Sequence, residues 1–122
     1  MEKEKEILII DDDSKNIFAL SAVLESKKYH CVSAISADRG LQILSSDKNI
    51  GVVLMDMMMP DMDGYEAIGK IKEDKLKNIP VIAVTAQAMI GDRERCIEAG
   101  AIAYVSKPIN VDELMKLLNN LI

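Results

Sequence analysis

Four short, mostly apolar runs in this chain each end against a polar or charged residue. Ile7-Leu8-Ile9-Ile10 runs into Asp11, Asp12 and Asp13, and Val52-Val53-Leu54-Met55 into Asp56. Val81-Ile82-Ala83-Val84 runs into Thr85, and Ala103-Tyr104-Val105-Ser106 into Lys107. Runs of this kind, alternating with longer amphipathic stretches of helical period, argue for βαβ units and a parallel sheet. They are nearly continuous in apolar character, as strands are when helices cover both faces of their sheet. In open α/β sheets, ligands bind beyond the carboxyl ends of the strands, where the strand order reverses. The four runs therefore deliver carboxylates, a hydroxyl and an ammonium to one edge. That set of groups suits a cation together with a phosphoryl group.

The periodicities place the elements along the chain. Strands are predicted at about 6–11 (β1), 30–35 (β2), 51–56 (β3), 80–85 (β4) and 103–106 (β5). Helices are predicted at about 14–27 (α1), 37–46 (α2), 64–73 (α3), 91–98 (α4) and 111–121 (α5). Ile17, Leu20 and Leu24 make one apolar face of α1, and Val111, Leu114, Leu118 and Leu121 one face of α5, with Asn110 as its N-cap. The β2 run, His30-Cys31-Val32-Ser33-Ala34, is the least apolar and is expected at an edge. Right-handed crossovers then make 2-1-3-4-5 the simplest strand order, with β1 and β3 adjacent at the reversal point. The longer connections are Met57–Asp63, which contains the turn residue Pro60 and is followed by Gly64, and Gln87–Ile90.

The bulk properties narrow the function classes. At 122 residues the chain reads as a single domain spanning 1–122, able to bury a core without disulfides or metals to hold it. The α5 pattern continues to the end of the chain, so no output module is expected after it. A net charge of -5 leaves no basic footprint for nucleic acid or an anionic membrane surface. No stretch approaches the roughly 18 apolar residues of a membrane span, and no signal peptide opens the chain, so a cytoplasmic location is expected. Glu2-Lys3-Glu4-Lys5-Glu6 reads as a solvated lead-in. Cys31 and Cys96 lack metal-ligand or CxxC spacing and are expected to be small buried hydrophobes in a reducing compartment. A single histidine, His30, excludes a multi-histidine metal site and is expected in the turn before β2.

At the sheet edge, a hard cation such as Mg²⁺ takes oxygen ligands and keeps several waters, so it needs only one or two carboxylates. Asp12 and Asp56 are the expected direct ligands, Asp11 acts through a water, and the backbone carbonyl of Met58 completes the protein's share. Crowded carboxylates repel, which favours a divalent cation among them. Asp13 is read instead as the cap of α1. Asp56 is either a ligand only or also a nucleophile, because carboxylates form aspartyl phosphates in phosphoryl transfer. Such an attack needs a cation and a fixed positive charge opposite. Lys107 offers the charge and Thr85 a hydroxyl for a phosphoryl oxygen. Nucleotide loops of the GxxxxGK[ST] or GxGxxG type, HExxH and a Ser or Cys nucleophile beside a base are all absent from the sequence.

These segments resemble the receiver domain of two-component response regulators. The resemblance is carried by Ile7 to Asp13, by Leu54-Met55-Asp56-Met57-Met58-Met59-Pro60-Asp61-Met62-Asp63-Gly64, by Val84-Thr85-Ala86 and by Tyr104-Val105-Ser106-Lys107-Pro108. It implies a flavodoxin-like (βα)5 fold. It also implies that Asp56 accepts a phosphoryl group, with Mg²⁺, from a phosphohistidine on a histidine kinase or histidine phosphotransfer protein. Asp11 and Asp12 then resemble the acidic pair that holds the cation, and Met58 the residue whose carbonyl joins them. Thr85 resembles the switch hydroxyl, Lys107 the phosphate-binding lysine and Tyr104 the switch aromatic, with the small Ala86 leaving a path for the donor. The Lys107–Pro108 bond resembles the family's cis peptide. Asn16-Ile17-Phe18-Ala19-Leu20, with Ala86-Gln87-Ala88-Met89 and Gly91-Asp92-Arg93-Glu94, is most similar to receivers attached to hybrid histidine kinases.

The implied mechanism is a switch. Phosphorylation draws Thr85 toward the phosphoryl group, Tyr104 turns inward, and the α4–β5–α5 face repacks; a homodimer through that face is among the arrangements left open. Met58 departs from the family pattern by placing an apolar side chain two residues after Asp56. A drier site and slow hydrolysis are expected from it, unless Met57, Met58 and Met59 simply pack locally. Two other readings stand beside the switch. One is a degenerate receiver that only docks, against which Asp12, Asp56, Thr85 and Lys107 speak. The other is a Mg²⁺-dependent phosphatase with an aspartyl-phosphate intermediate, for which Asp61 and Asp63 would have to supply an acid/base group without any cap.

Overall fold

A computed structural model describes residues 5–46, 49–59, 64–73, 79–85 and 92–121. The expectations resting on Glu2-Lys3-Glu4, on Pro60, Asp61 and Asp63, on Ala86, on the 87–90 connection and on Gly91 lie outside the described residues. The ten elements alternate as β1 (Glu6–Ile10), α1 (Ser14–Ser26), β2 (His30–Ala34), α2 (Ala37–Ser46), β3 (Ile50–Asp56), α3 (Gly64–Glu73), β4 (Val81–Thr85), α4 (Asp92–Ala99), β5 (Ala103–Ser106) and α5 (Val111–Leu121). All strand pairs are parallel, and the sheet order is β2-β1-β3-β4-β5. This is the flavodoxin-like (βα)5 arrangement expected from the sequence, with β2 at an edge.

Strand alternation divides the core in two. Ile7, Ile9, Val52, Leu54, Ile82, Val84 and Val105 face α1 and α5, where Ile17, Leu24, Leu114 and Leu118 close the layer. Leu8, Ile10, Val53, Met55, Val81 and Ala83 face the other way, against Ala37 and Leu44 of α2, Ala67, Ile68 and Ile71 of α3, and Cys96 of α4.

Local chemistry sets the helix ends. Asp13 caps α1, its carboxylate accepting the Lys15 N–H at 2.9 Å, and Asn110 caps α5 by accepting from Glu113 N at 3.1 Å. Ser36 does the same for α2 through Arg39 N at 3.1 Å. At the end of α1, Lys28 N donates to Glu25 O and Tyr29 N to Leu24 O, a Schellman pair, with Lys28 itself at φ 74. Gly100 closes α4 at φ 124, where the missing side chain removes the steric cost of the left-handed region.

Two expectations are corrected. His30 lies not in the turn but at the first position of β2, paired with Glu6, because parallel pairing with β1 extends back to that residue. Cys31 is half-buried rather than buried, since an edge strand has neighbours on one side only; Cys96, under α4, is buried as expected.

Candidate functional site

The hydrogen-bond ladder of the sheet extends past the strands and anchors their carboxyl rim. Asp11 N donates to Ala34 O at 3.1 Å, Met57 N to Val84 O at 2.9 Å and Lys107 N to Thr85 O at 2.7 Å. Groups of a site held on such backbone keep their geometry better than groups on loop tips. β1 and β3 are neighbours and Ile10 pairs with Met55, so the next residues, Asp11 and Asp56, leave the sheet side by side.

One ligand oxygen from each of Asp11, Asp12 and Asp56 lies within 4.8 Å of the others. Asp56 is 4% and Asp11 7% exposed, whereas Asp12 is exposed at the opening. The Lys107 ammonium reaches in from the end of β5, 3.5 Å from Asp11 Oδ2 and 3.7 Å from Asp56 Oδ2. Backbone donors hold the acids in turn: Asp13 N donates to Asp11 Oδ1 at 2.9 Å, and Met58 N to Asp56 Oδ1 at 3.0 Å. Three carboxylates beside one ammonium leave a surplus of two negative charges. Hard oxygen donors with that surplus fit a divalent cation such as Mg²⁺.

The charge balance marks Asp56. Burial pushes its carboxyl above the ordinary aspartate value; the Met58 N–H pulls it back, the Asp11 charge pushes it up again and Lys107 lowers it. The net direction is upward, as expected of a carboxylate taken from water beside a like charge.

Thr85 is buried at the end of β4, on the sheet face of Val81 and Ala83. Tyr104 is half-buried and pairs with Ala83 across the β4–β5 ladder, packing on that same face. Thr85 and Tyr104 therefore share one side of the sheet, next to the rim that carries Asp56. Lys107–Pro108 is cis. The three methionines part company: Met57 and Met59 are buried in the α2–α4 side of the core, while Met58 is 50% exposed. Local packing accounts for the first and third and not for Met58.

Two features were not read from the sequence. The Met58 N–H that holds Asp56 is a backbone group, which every residue but proline supplies, so residue identity carries no signal for it. A cleft of about 300 Å³ between α1 and the start of α5 borders Asp11 and Lys107, with Ala19, Leu20, Val23 and Ile109 among its walls. It exists only because two helices distant in sequence share one face of the sheet.

The profile of the response regulator receiver domain matches residues 7–119. The two-component response regulator ORR3 of rice (Oryza sativa subsp. indica) is 32% identical over 122 residues, 99% of this chain and 93% of that protein. The polar-differentiation response regulator DivK of Brucella ovis is 34% identical over 117 residues, 95% of this chain and 94% of that one. Among solved structures, a CheY-like response regulator receiver domain protein from Methanospirillum hungatei superposes with a TM-score of 0.86 at 30% identity, covering 97% of this chain and 93% of the other. A likeness that runs from the first strand into the last helix is that of a whole domain and not of one motif: the chain belongs to the response regulator receiver domain family.

Proposed function

We propose that the domain, read as one unit over 1–122, is a phosphoacceptor switch whose acceptor is Asp56. The observation that carries this reading is the Lys107 ammonium 3.7 Å from a buried Asp56 carboxylate that also lies within 4.8 Å of two further acids. Asp56 attacks the phosphorus of a phosphohistidine on a histidine kinase or phosphotransfer protein; the new P–O bond forms as the P–N bond breaks, and the imidazole leaves. Asp12, Asp56 and the Met58 carbonyl, with Asp11 behind them, would hold a Mg²⁺ ion, which when bound would neutralise charge on the phosphoryl oxygens. Asp11 is held at both its oxygens by protein donors, Asp13 N and Lys107 Nζ, as Asp56 is by Met58 N and Lys107 Nζ. Lys107 balances the charge that phosphorylation adds, roughly one to two negative charges.

Thr85 then bonds a phosphoryl oxygen, and Tyr104, on the same sheet face, fills the space it leaves. The two packings of the α4–β5–α5 side differ in population according to whether Asp56 carries the phosphoryl group. Met58, apolar and half-exposed at the mouth, sheds water from the aspartyl phosphate and slows its hydrolysis.

The test is incorporation of phosphoryl from a phosphohistidine donor in the presence of Mg²⁺. Wild type is expected to form a base-labile acyl phosphate, and Asp56→Asn none. Thr85→Ala is expected to accept the group without the accompanying change in Tyr104 environment, read by NMR. Met58→Asn is expected to shorten the acyl-phosphate lifetime. Incorporation that survives Asp56→Asn overturns the assignment. Multiple turnover on a phosphomonoester points to the phosphatase reading, and no incorporation from any donor to the docking reading.

A further inference from the structure

Gly64, the first residue of α3, stands against the turn that carries Asp56. A β-carbon built on it would lie 2.8 Å from Met57 Cα, 2.6 Å from Met57 Sδ and 2.9 Å from Met57 Cε. Side-chain atoms can swing away from such a clash, but the α-carbon belongs to the backbone. Gly64 is not in the positive-φ region, so no conformational demand calls for glycine there. What excludes a side chain at 64 is therefore space, and the space is taken by the Met57 backbone.

Met57 is held from both sides. Its N–H donates to Val84 O at 2.9 Å, and its side chain is buried in the core under α3. The residue before it is the buried carboxylate Asp56. The residue after it, Met58, sends its N–H to Asp56 Oδ1 at 3.0 Å and carries the carbonyl assigned above to the cation. A displacement of Met57 Cα by a few tenths of an ångström moves both neighbours, and with them two of the expected ligand atoms.

We propose that Gly64 is a positioning residue: close contact of its bare α-carbon with the backbone of Met57 holds the 56–58 turn in the geometry that binds the divalent cation. This rests on the reading that the Asp11, Asp12 and Asp56 cluster binds Mg²⁺. Gly64 acts as an outer support, of the kind whose loss costs roughly tenfold to a hundredfold in metal affinity. Gly69, on the same helix with open space around its α-carbon, supplies the contrast.

The experiment is Mg²⁺ titration by calorimetry, without any phosphoryl donor, on wild type, Gly64→Ala, Gly69→Ala and the double variant Gly64→Ala with Met57→Ala, alongside circular dichroism. Gly64→Ala is expected to keep its secondary structure and lose about tenfold in Mg²⁺ affinity, and Gly69→Ala to bind as wild type does. The double variant is expected to stay weak, because trimming the Met57 side chain leaves the α-carbon contact in place. Equal affinity in wild type and Gly64→Ala, or full recovery in the double variant, overturns the proposal while leaving the metal site standing. Absence of Mg²⁺ binding by wild type overturns both. Should Gly64→Ala not fold, the unaltered protein decides: the Gly64 amide resonance is expected to shift during Mg²⁺ titration with the same Kd as Asp56, and a stationary resonance overturns the proposal.

Discussion

The two sides of the sheet are packed with different materials. Against α1 and α5 the buried residues are isoleucine, leucine and valine, all branched. Against α2, α3 and α4 the layer also contains Met55, Met57 and Met59, Ala34, Ala37, Ala67, Ala83 and Ala101, and Cys96. Two glycines fit there so closely that a β-carbon would strike Ile10 or Met57. Branched side chains have few rotamers and interlock in one way, whereas methionine adapts its shape and small residues let backbones approach. Thr85 and Tyr104 lie on the adaptable side. A domain that must hold one packing and permit a second benefits from such a division, with the stiff layer keeping the sheet and the adaptable one absorbing the change.

The difference can be measured. Leu118→Ala, at a fully buried position of the stiff layer, is expected to destabilise the fold by about 3 kcal/mol in denaturant titration. Met59→Ala, nearly as buried but among adaptable neighbours, is expected to cost less, about 2 kcal/mol, because the site collapses further into the space left. Equal costs, or the reverse order, would remove the contrast between the layers.

Asp56→Asn is expected to act in the opposite direction, raising stability without divalent cations by about 1 kcal/mol, seen as a higher Tm. The sign follows from the raised Asp56 carboxyl. A folded-state value above the ordinary 3.8 means that the stabilising protonated form is complete below that pH and is lost as pH rises through the folded value. At neutral pH the ionised group therefore opposes folding, and the benefit of asparagine should fade in acid. Added Mg²⁺ should stabilise wild type and not the variant, by mass action.

The smallest effect at neutral pH is expected at Cys31, on the β2 edge. Burial, then the nearby Glu25 charge, pushes its thiol from 9.0 to about 11. The stability this contributes is complete below pH 9.0 and declines as pH rises toward about 11, so wild type should weaken in that window more than Cys31→Ala does. Parallel alkaline profiles for the two proteins would show that the edge does not shield the thiol.

Much of the architecture was legible because its signals are local. The α2 and α3 ranges, 37–46 and 64–73, emerge where expected, since apolar spacing and turn residues bound them on both sides. Asp13 and Asn110 cap their helices through their own side chains, which is a property of residue type. His30 was misplaced because pairing with β1, and not its own propensity, recruits it into a strand. Met58 was singled out by its place two residues after Asp56, but three identical residues in a row left open that all of them pack locally, and only the structure shows Met58 alone turned outward.

Residue order alone determined that the polar groups fall at strand ends, and that strands and helices alternate so as to force a parallel sheet. It thereby determined which acids, hydroxyl and ammonium share an edge, since the right-handed crossover leaves one simple strand order. Tertiary structure decided the distances: the 3.5 and 3.7 Å from Lys107 to the acids depend on five strands held in one register, which no local pattern encodes. It also decided that Gly64 meets the Met57 backbone, because the approach of a helix to a turn is set by everything packed behind both.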